Sequence, residues 1–486
     1  MKCQKLLLLI LDGLGLNPQQ YGNAVTPKSM PVFFNMMQQQ SLAVLAASGE
    51  AVGLAADQAG NSEIGHATIG AGRTLLSKLA EIEQAYQNGC WADHAFWRQL
   101  RQEPRVHIVG TLSDAGVHAH LQAMLQTIEL AVAHQIKSIS VHLMLDGVDA
   151  AVNSAPRLLA TLQQSISAYP QVEIGIIMGR QWAMDRSGDF TVTQHCTSAL
   201  MGEVPLAPFQ PQALAAHIRL QGSERNFPAH LVSQNALLKP GDSIILTNHR
   251  ADRVKQLAEV LLQTQPVYSL ADLSELSGVQ VFFPQAQLDE GMIAQVLASG
   301  LSVEVVAEAC KFSHVTHFLN GFQSQAAVRA SKVPTVDDQA IKQNPAMSID
   351  VLEHAIEDAL QRQPALLCVN IPNLDQVGHT GDLVLTEQAA AHVDACFERI
   401  VASASAQGYA IAVTADHGNA DVMLNEQGVV QVSHSLNPVP FFIIPAVGST
   451  PIPLKPQGTL ANIAPTLLTL MQLPVPTKMA PALFAL

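Results

Sequence analysis

Ser62 lies in a small polar segment, Gly60-Asn61-Ser62-Glu63-Ile64-Gly65-His66, and Ala71-Gly72-Arg73 follows it. A serine hydroxyl is a weak nucleophile at neutral pH unless a base or a cation lowers its pKa. A bound metal can do this directly, as it does for bound water. The bland alternative is a serine that only caps the helix behind it. Ligands for a cation are present elsewhere in the chain: Asp12, Asp375 with His379, Asp416 with His417, and His434. Asp375 and His379 are four residues apart, so both face one side of a helical turn. Mixed carboxylate and imidazole ligands suit borderline metals such as manganese or zinc. The residue types therefore point to a metal-activated serine.

These side chains need strands to carry them. Short apolar runs recur, each ending in a Gly, Asp or His cluster: Leu6–Leu11, Val106–Val109, Ile139–Leu145, Ile174–Met178, Ile244–Leu246, Leu366–Ile371 and Ala410–Val413. Runs of this length read as buried strands. Between them, Leu121–Gln135, Asp350–Arg362 and Thr386–Ser405 carry apolar residues at helical spacing. Alternating strands and helices predict an α/β chain with mainly parallel sheets. Ligands of such sheets bind outside the carboxyl ends of the strands. The ligand-bearing segments, His434 included, are expected at strand ends. Boundaries are expected near Arg73–Ala80 and Phe283–Gly291.

Composition narrows the class. The chain has 486 residues, enough for two large domains or three of ordinary size. Charged residues are 14%, below the average of about 25%. The net charge of −14 shows no basic excess for nucleic acid. The six cysteines are scattered, without a C-x-x-C pair, which fits a reducing cytoplasm. The run Leu6–Leu11 is shorter than the ~7–15 apolar residues of a signal peptide. No stretch reaches the ~20 apolar residues of a membrane-spanning helix. Neither a nucleic-acid nor a membrane partner is expected.

The ordered blocks LDGLG (11–15), GNSEIGHATIGAGR (60–73), SDAGVHAH (113–120), LDGVD (145–149), GRQWAMDR (179–186), NHRADR (248–253), KFSHVTHFLNG (311–321), DQVGHTGD (375–382), TADHGNAD (414–421) and HSLNPVPF (434–441) run through nearly the whole chain. In them it resembles the cofactor-independent (2,3-bisphosphoglycerate-independent) phosphoglycerate mutases of the alkaline phosphatase superfamily. The resemblance implies two α/β domains: a discontinuous phosphatase-like, metal-binding domain of residues 1–75 and 286–486, and an inserted phosphotransferase domain of residues 76–285. It implies two divalent metal ions, read as manganese. Asp375, His379 and His434 would hold one; Asp12, Ser62, Asp416 and His417 would hold the other. Substrate contacts would come from His118, Asp149, Arg180, Arg186, Arg250, Arg253 and Lys311.

The implied reaction interconverts 3-phosphoglycerate and 2-phosphoglycerate through a phosphoserine at Ser62, with Asp149 and Lys311 also catalytic. Domain closure would keep water from the phosphoserine. A cytoplasmic monomer acting on a small phosphorylated carboxylic acid is expected. The chain departs from the family pattern at Val148, where an arginine is usual, and at Cys310, where a glutamate is usual. Val148 raises the alternative of a paralogue that transfers or hydrolyses phosphoryl groups on another small phospho-acid or phosphonate.

Overall fold

The computed structural model describes residues 5–54, 56–185, 188–285, 288–323 and 326–484. The chain divides into two compact units, Met1–Ser77 with Ala286–Leu486, and Lys78–Gln285. Each is built on an eight-stranded, largely parallel sheet. Among the described residues no helix is long and apolar enough to cross a membrane.

In the discontinuous unit the strand order is Val328–Val333, Val303–Glu308, Leu366–Ile371, Leu6–Leu11, Ala410–Thr414, Val439–Ile444, Ala43–Ala46, Gln457–Thr459. All six residues of Leu6–Leu11 are buried. A strand covered on both faces needs apolar side chains at odd and even positions alike, hence the unbroken LLLLIL. It pairs in parallel with Leu366–Ile371 on one side and Ala410–Thr414 on the other. Leu11 lies opposite Ile371, and Ile10 opposite Thr414. This register brings the segments that begin at Asp12, Pro372 and Ala415 to one edge of the sheet.

The inserted unit orders its strands Gln280–Val281, Val267–Ser269, Ser243–Leu246, Val106–Leu112, Ile139–Leu145, Val172–Gly179, His230–Leu231, Ala207–Pro208. Its sheet is covered on both faces. Leu143 and Ile108 join one apolar cluster, and their neighbours Met144 and Val109 join another. The apolar runs mark these strands well, and several extend a few residues further than the runs do. The strand at the edge of this sheet is short, Gln280–Val281, and ends before the expected boundary at Phe283. Phe282 and Phe283 turn into the core instead.

Two strands of this unit carry buried imidazoles. His107 Nδ1 lies 2.9 Å from His142 Nε2, and His107 Nε2 lies 3.1 Å from Asp242 Oδ2. Burial, with a contribution from Arg105, pushes His107 down to about 3. The unfolded chain therefore binds a proton near pH 6.5 that the folded chain refuses. This contribution to stability is complete above pH 6.5 and is lost as the pH falls towards 3. Acidification from pH 8 to pH 5 should cost about 2 kcal/mol through His107 alone. Urea unfolding of His107→Gln beside the parent checks this: the variant should lose that much less on acidification. Equal losses in both chains would refute it.

Candidate functional site

The carboxylates at the edge of the first sheet converge. Asp12 directly follows the central strand. Asp375 sits in the helix Asn373–Gly378, and its backbone N–H donates to Asp12 O at 3.1 Å. The chain can turn this closely because Gly13 has φ +85°, and a Cβ there would stand 2.7 Å from the Asp375 nitrogen. Asp416 and His417 follow Ala410–Thr414. Asp12, Asp416 and His417 are fully buried and Asp375 nearly so. His379 is exposed at the end of the Asn373 helix, and its Nε2 lies 3.3 Å from Asp375 Oδ1.

His434 is not at the carboxyl end of a strand. It precedes Val439–Ile444, which runs antiparallel to Ala410–Thr414. An antiparallel strand begins where its neighbours end, so the segment before it reaches the same edge. His434 Nε2 stands 3.2 Å from both Asp375 Oδ1 and His379 Nε2, and its ring stacks on His417 at 3.9 Å.

Ser62 is the first residue of the helix Ser62–Ala71. The capping role belongs to Asn61, whose Oδ1 accepts from the Ile64 N–H at 3.0 Å. The Ser62 hydroxyl is therefore not spent on capping. Its Oγ lies 2.9 Å from His417 Nε2 and 2.5 Å from Lys311 Nζ. The helix approaches the strand end so closely that a Cβ at Gly65 would stand 2.6 Å from Asp416 O. Lys311, on a turn after Val303–Glu308, also donates to Asp12 Oδ1 at 3.0 Å and Asp375 Oδ2 at 2.8 Å.

The charges explain what this site needs. Burial, and then the charge of Asp416, pushes Asp12 up to about 7. Burial opposes ionisation of Asp375 too, but Lys311, His379 and His434 outweigh it and hold the carboxyl well below its usual range. Burial likewise pushes His417 down to about 4, leaving its imidazole neutral and fit to donate a lone pair. Three buried carboxylates face one ammonium, and no buried charge excess of that kind is cheap. Two groups gather their ligand atoms within 4.8 Å: Asp375 with His417 and His434, and Asp12 with Asp416 and His417. Oxygen and neutral imidazole donors around excess negative charge fit divalent cations.

Some bracing residues were invisible to sequence reasoning. Asn419 Nδ2 donates to Asp375 Oδ1 at 3.0 Å. Asp421 accepts from Ser435 Oγ at 3.0 Å and Asn437 Nδ2 at 2.6 Å, tying down the segment that carries His434. Asn419 and Asp421 stand in the TADHGNAD block, but nothing in their spacing distinguishes a brace from a ligand.

In the inserted unit, another set gathers at the carboxyl ends of three parallel strands and in the segment after a fourth. Arg180, just after Val172–Gly179, donates through Nη1 to Asp146 Oδ1 at 2.7 Å and Asp149 Oδ2 at 2.5 Å. His118 Nε2 lies 3.9 Å from Asp149 Oδ2, and its Nδ1 lies 3.3 Å from Asp252 Oδ1. Arg250 and Arg253 flank Asp252, their Nε atoms at 3.4 and 3.9 Å from its carboxylate. Asp252, unassigned from sequence although it lies inside NHRADR, is thus the acid that joins His118 to both arginines. Arg186 lies outside the described residues. Val148 exposes its side chain, 53% of it accessible. The loop does not depend on it: Asp146 accepts from the backbone N–H groups of Val148, Asp149 and Ala150 at 3.0–3.2 Å.

Comparison with known proteins agrees with this geometry. The Metalloenzyme superfamily pattern matches residues 4–475. A 2,3-bisphosphoglycerate-independent phosphoglycerate mutase of Thermosynechococcus vestitus is 32% identical over 509 aligned positions, covering 97% of this chain and 94% of that one. The protein of the same name from Haloquadratum walsbyi is also 32% identical, covering 97% and 98%. A crystal structure of Leishmania mexicana phosphoglycerate mutase at low cobalt concentration superposes with a TM-score of 0.78 at 26% identity, covering 100% of this chain and 98% of that one. With two α/β units, a buried carboxylate–imidazole cluster around a helix-starting serine, and this likeness along its whole length, the chain belongs to the metalloenzyme superfamily and, within it, to the 2,3-bisphosphoglycerate-independent phosphoglycerate mutases.

Proposed function

We propose that the protein interconverts 3-phosphoglycerate and 2-phosphoglycerate by a two-step transfer through a phosphoserine at Ser62. The observation that carries this reading is the surroundings of the Ser62 hydroxyl, with Lys311 Nζ at 2.5 Å and His417 Nε2 at 2.9 Å among three buried carboxylates. Two divalent ions, read as manganese, would be held by Asp375, His379 and His434 and by Asp12, Ser62, Asp416 and His417; when bound they supply the positive charge that lowers the serine pKa and screens phosphoryl oxygens.

Ser62 Oγ forms a bond to phosphorus as the bond from phosphorus to the glycerate oxygen breaks. The departing oxygen takes a proton, and glycerate stays bound. Its other hydroxyl then loses a proton and attacks the phosphoserine, which frees Ser62. Asp149 is assigned the proton exchange with the glycerate hydroxyls, and His118 their positioning. Lys311 lies against Ser62 and balances charge on the transferring oxygens. Arg180, Arg186, Arg250 and Arg253 are assigned to the phosphate and carboxylate, whose geometry guanidinium forks match. Residues 1–75 with 286–486 are read as the phosphatase-like domain and 76–285 as the phosphotransferase domain.

Val148 in place of an arginine would weaken the grip on the non-phosphate end of the substrate, while Asp146 still frames the loop around it. Relatives named as mutases along the whole chain do not favour a paralogue with another substrate. Acidic net charge and scattered free cysteines support a cytoplasmic enzyme without nucleic-acid or membrane partners, read as a monomer. Incubation with 3-phosphoglycerate and manganese should yield 2-phosphoglycerate. Chelation should stop turnover, and manganese should restore it. Release of inorganic phosphate without 2-phosphoglycerate would overturn the proposal in favour of a hydrolase.

A further inference from the structure

His66 stands one helical turn after Ser62 and is fully buried. Its Nδ1 lies 2.9 Å from the Ser62 carbonyl oxygen and 3.2 Å from Asp416 Oδ2. Both are acceptors, so Nδ1 carries the hydrogen. Its Nε2 lies 3.1 Å from Asn370 Nδ2. Asn370 lies in the strand Leu366–Ile371, and the same Nδ2 donates to Asp12 Oδ2 at 2.7 Å. The opposite amide orientation would set an oxygen against the Asp12 carboxylate. Asn370 therefore uses one hydrogen on Asp12 and the other on His66 Nε2, which accepts it as a lone pair. Each hydrogen in this chain has one consistent place.

The chain runs Asp416, His66, Asn370, Asp12, with the Ser62 backbone attached at His66. It joins the ends of three parallel strands to the start of the serine helix. We propose that His66 is a positioning residue that fixes Asp12 and Asp416 relative to Ser62, and so sets the affinity of the cation site those residues form; this rests on the metal reading given above. Hydrogen-bond partners behind a metal ligand hold its orientation, and losing one typically costs 10–100-fold in affinity or activity. An apolar residue of similar bulk would leave the Asn370 amide and the Ser62 carbonyl without their partner and take the imidazole away from Asp416 Oδ2. Asparagine would keep a donor near the position of Nδ1, since its amide nitrogen is also attached at Cγ.

Manganese titration by calorimetry on the full chain tests this, beside kcat and KM with 3-phosphoglycerate. His66→Leu should weaken manganese binding at one site about 10–100-fold and lower kcat to a similar degree, with KM within about twofold. His66→Asn should recover most of both losses. A purely packing role would lower the metal-free melting temperature in both variants and would not separate them. Asn370→Ala should weaken manganese in the same direction. Combined with His66→Asn it should be no worse than Asn370→Ala alone, because both remove the same link between Asn370 and position 66. This pair decides the matter if His66→Leu does not fold. Equal defects in the Leu and Asn variants, unchanged manganese binding, or additive losses in the pair would overturn the proposal. A parent chain that binds manganese but does not turn over 3-phosphoglycerate would sink the mutase reading, and the titrations would still judge His66.

Discussion

Ser62→Ala is expected to lower turnover of 3-phosphoglycerate by about 10^4-fold or more while the chain still folds and binds manganese. A loss of that size corresponds to about 5 kcal/mol of transition-state stabilisation. It follows from geometry, because among the described residues no other hydroxyl lies in the cluster at hydrogen-bonding distance from Lys311 Nζ. The structural cost should be small. Lys311 keeps its bonds to Asp12 and Asp375 after the hydroxyl is removed. His417 keeps its own contacts with both Asp12 and Asp416 at 3.5 Å. The two buried hydrogen bonds lost, to His417 and Lys311, cost about 1 kcal/mol each. Intact mass spectrometry after brief exposure to substrate supplies a second readout: the parent should show a phosphorylated fraction that maps to Ser62, and the variant none. Turnover that survives the substitution would reject the phosphoserine route, whatever the metals do.

Lys311→Met should destabilise the metal-free chain by about 3–5 kcal/mol, the cost of leaving a buried charge without its partner. Lys311 is only 4% exposed and is the one lysine or arginine that touches Asp12 and Asp375 among the described residues. Burial works against its charge, but Asp12, Asp375 and Asp416 outweigh it and raise its pKa above the ordinary lysine value. Without the ammonium these carboxylates repel one another in a site that excludes water. Divalent cations would replace the lost charge, so saturating manganese should recover most of the stability. Turnover should stay low, by about 10^2–10^3-fold, because Lys311 also balances charge beside Ser62 Oγ. Thermal unfolding with and without manganese separates the effects. A variant equally destabilised in both conditions would show that Lys311 acts through packing rather than charge.

Local signals carried much of the fold. Leu6–Leu11, Ile139–Leu145 and Leu366–Ile371 are strands over the residues their apolar runs mark, because central strands are buried on both faces. Strands without such runs were not legible. Val303–Glu308 holds Glu304, whose buried carboxylate is paired with Arg362 from a distant helix. Val328–Val333 lies at a sheet edge, where Arg329 and Lys332 can face solvent. Val439–Ile444 contains Pro440, which argues against a strand until its place in the sheet is known.

The site divides the same way. Residue types and order along the chain named Asp12, Ser62, Lys311, Asp375, His379, Asp416, His417 and His434, since each stands in a recognisable block. Their distances could not be read there. Parallel register sets Asp12 beside Asp375 and Asp416, and an antiparallel neighbour delivers His434 from its amino-terminal side. Only packing showed that Asn61 rather than Ser62 caps the helix, and that His66, Asn370 and Asp252 link the charged groups. The sequence by itself determined the buried strands that carry unbroken apolar runs and the reactive groups that follow them, because burial periodicity and residue chemistry are local. Which groups touch was decided by the tertiary structure alone, because hydrogen bonds and charge balance join residues hundreds of positions apart.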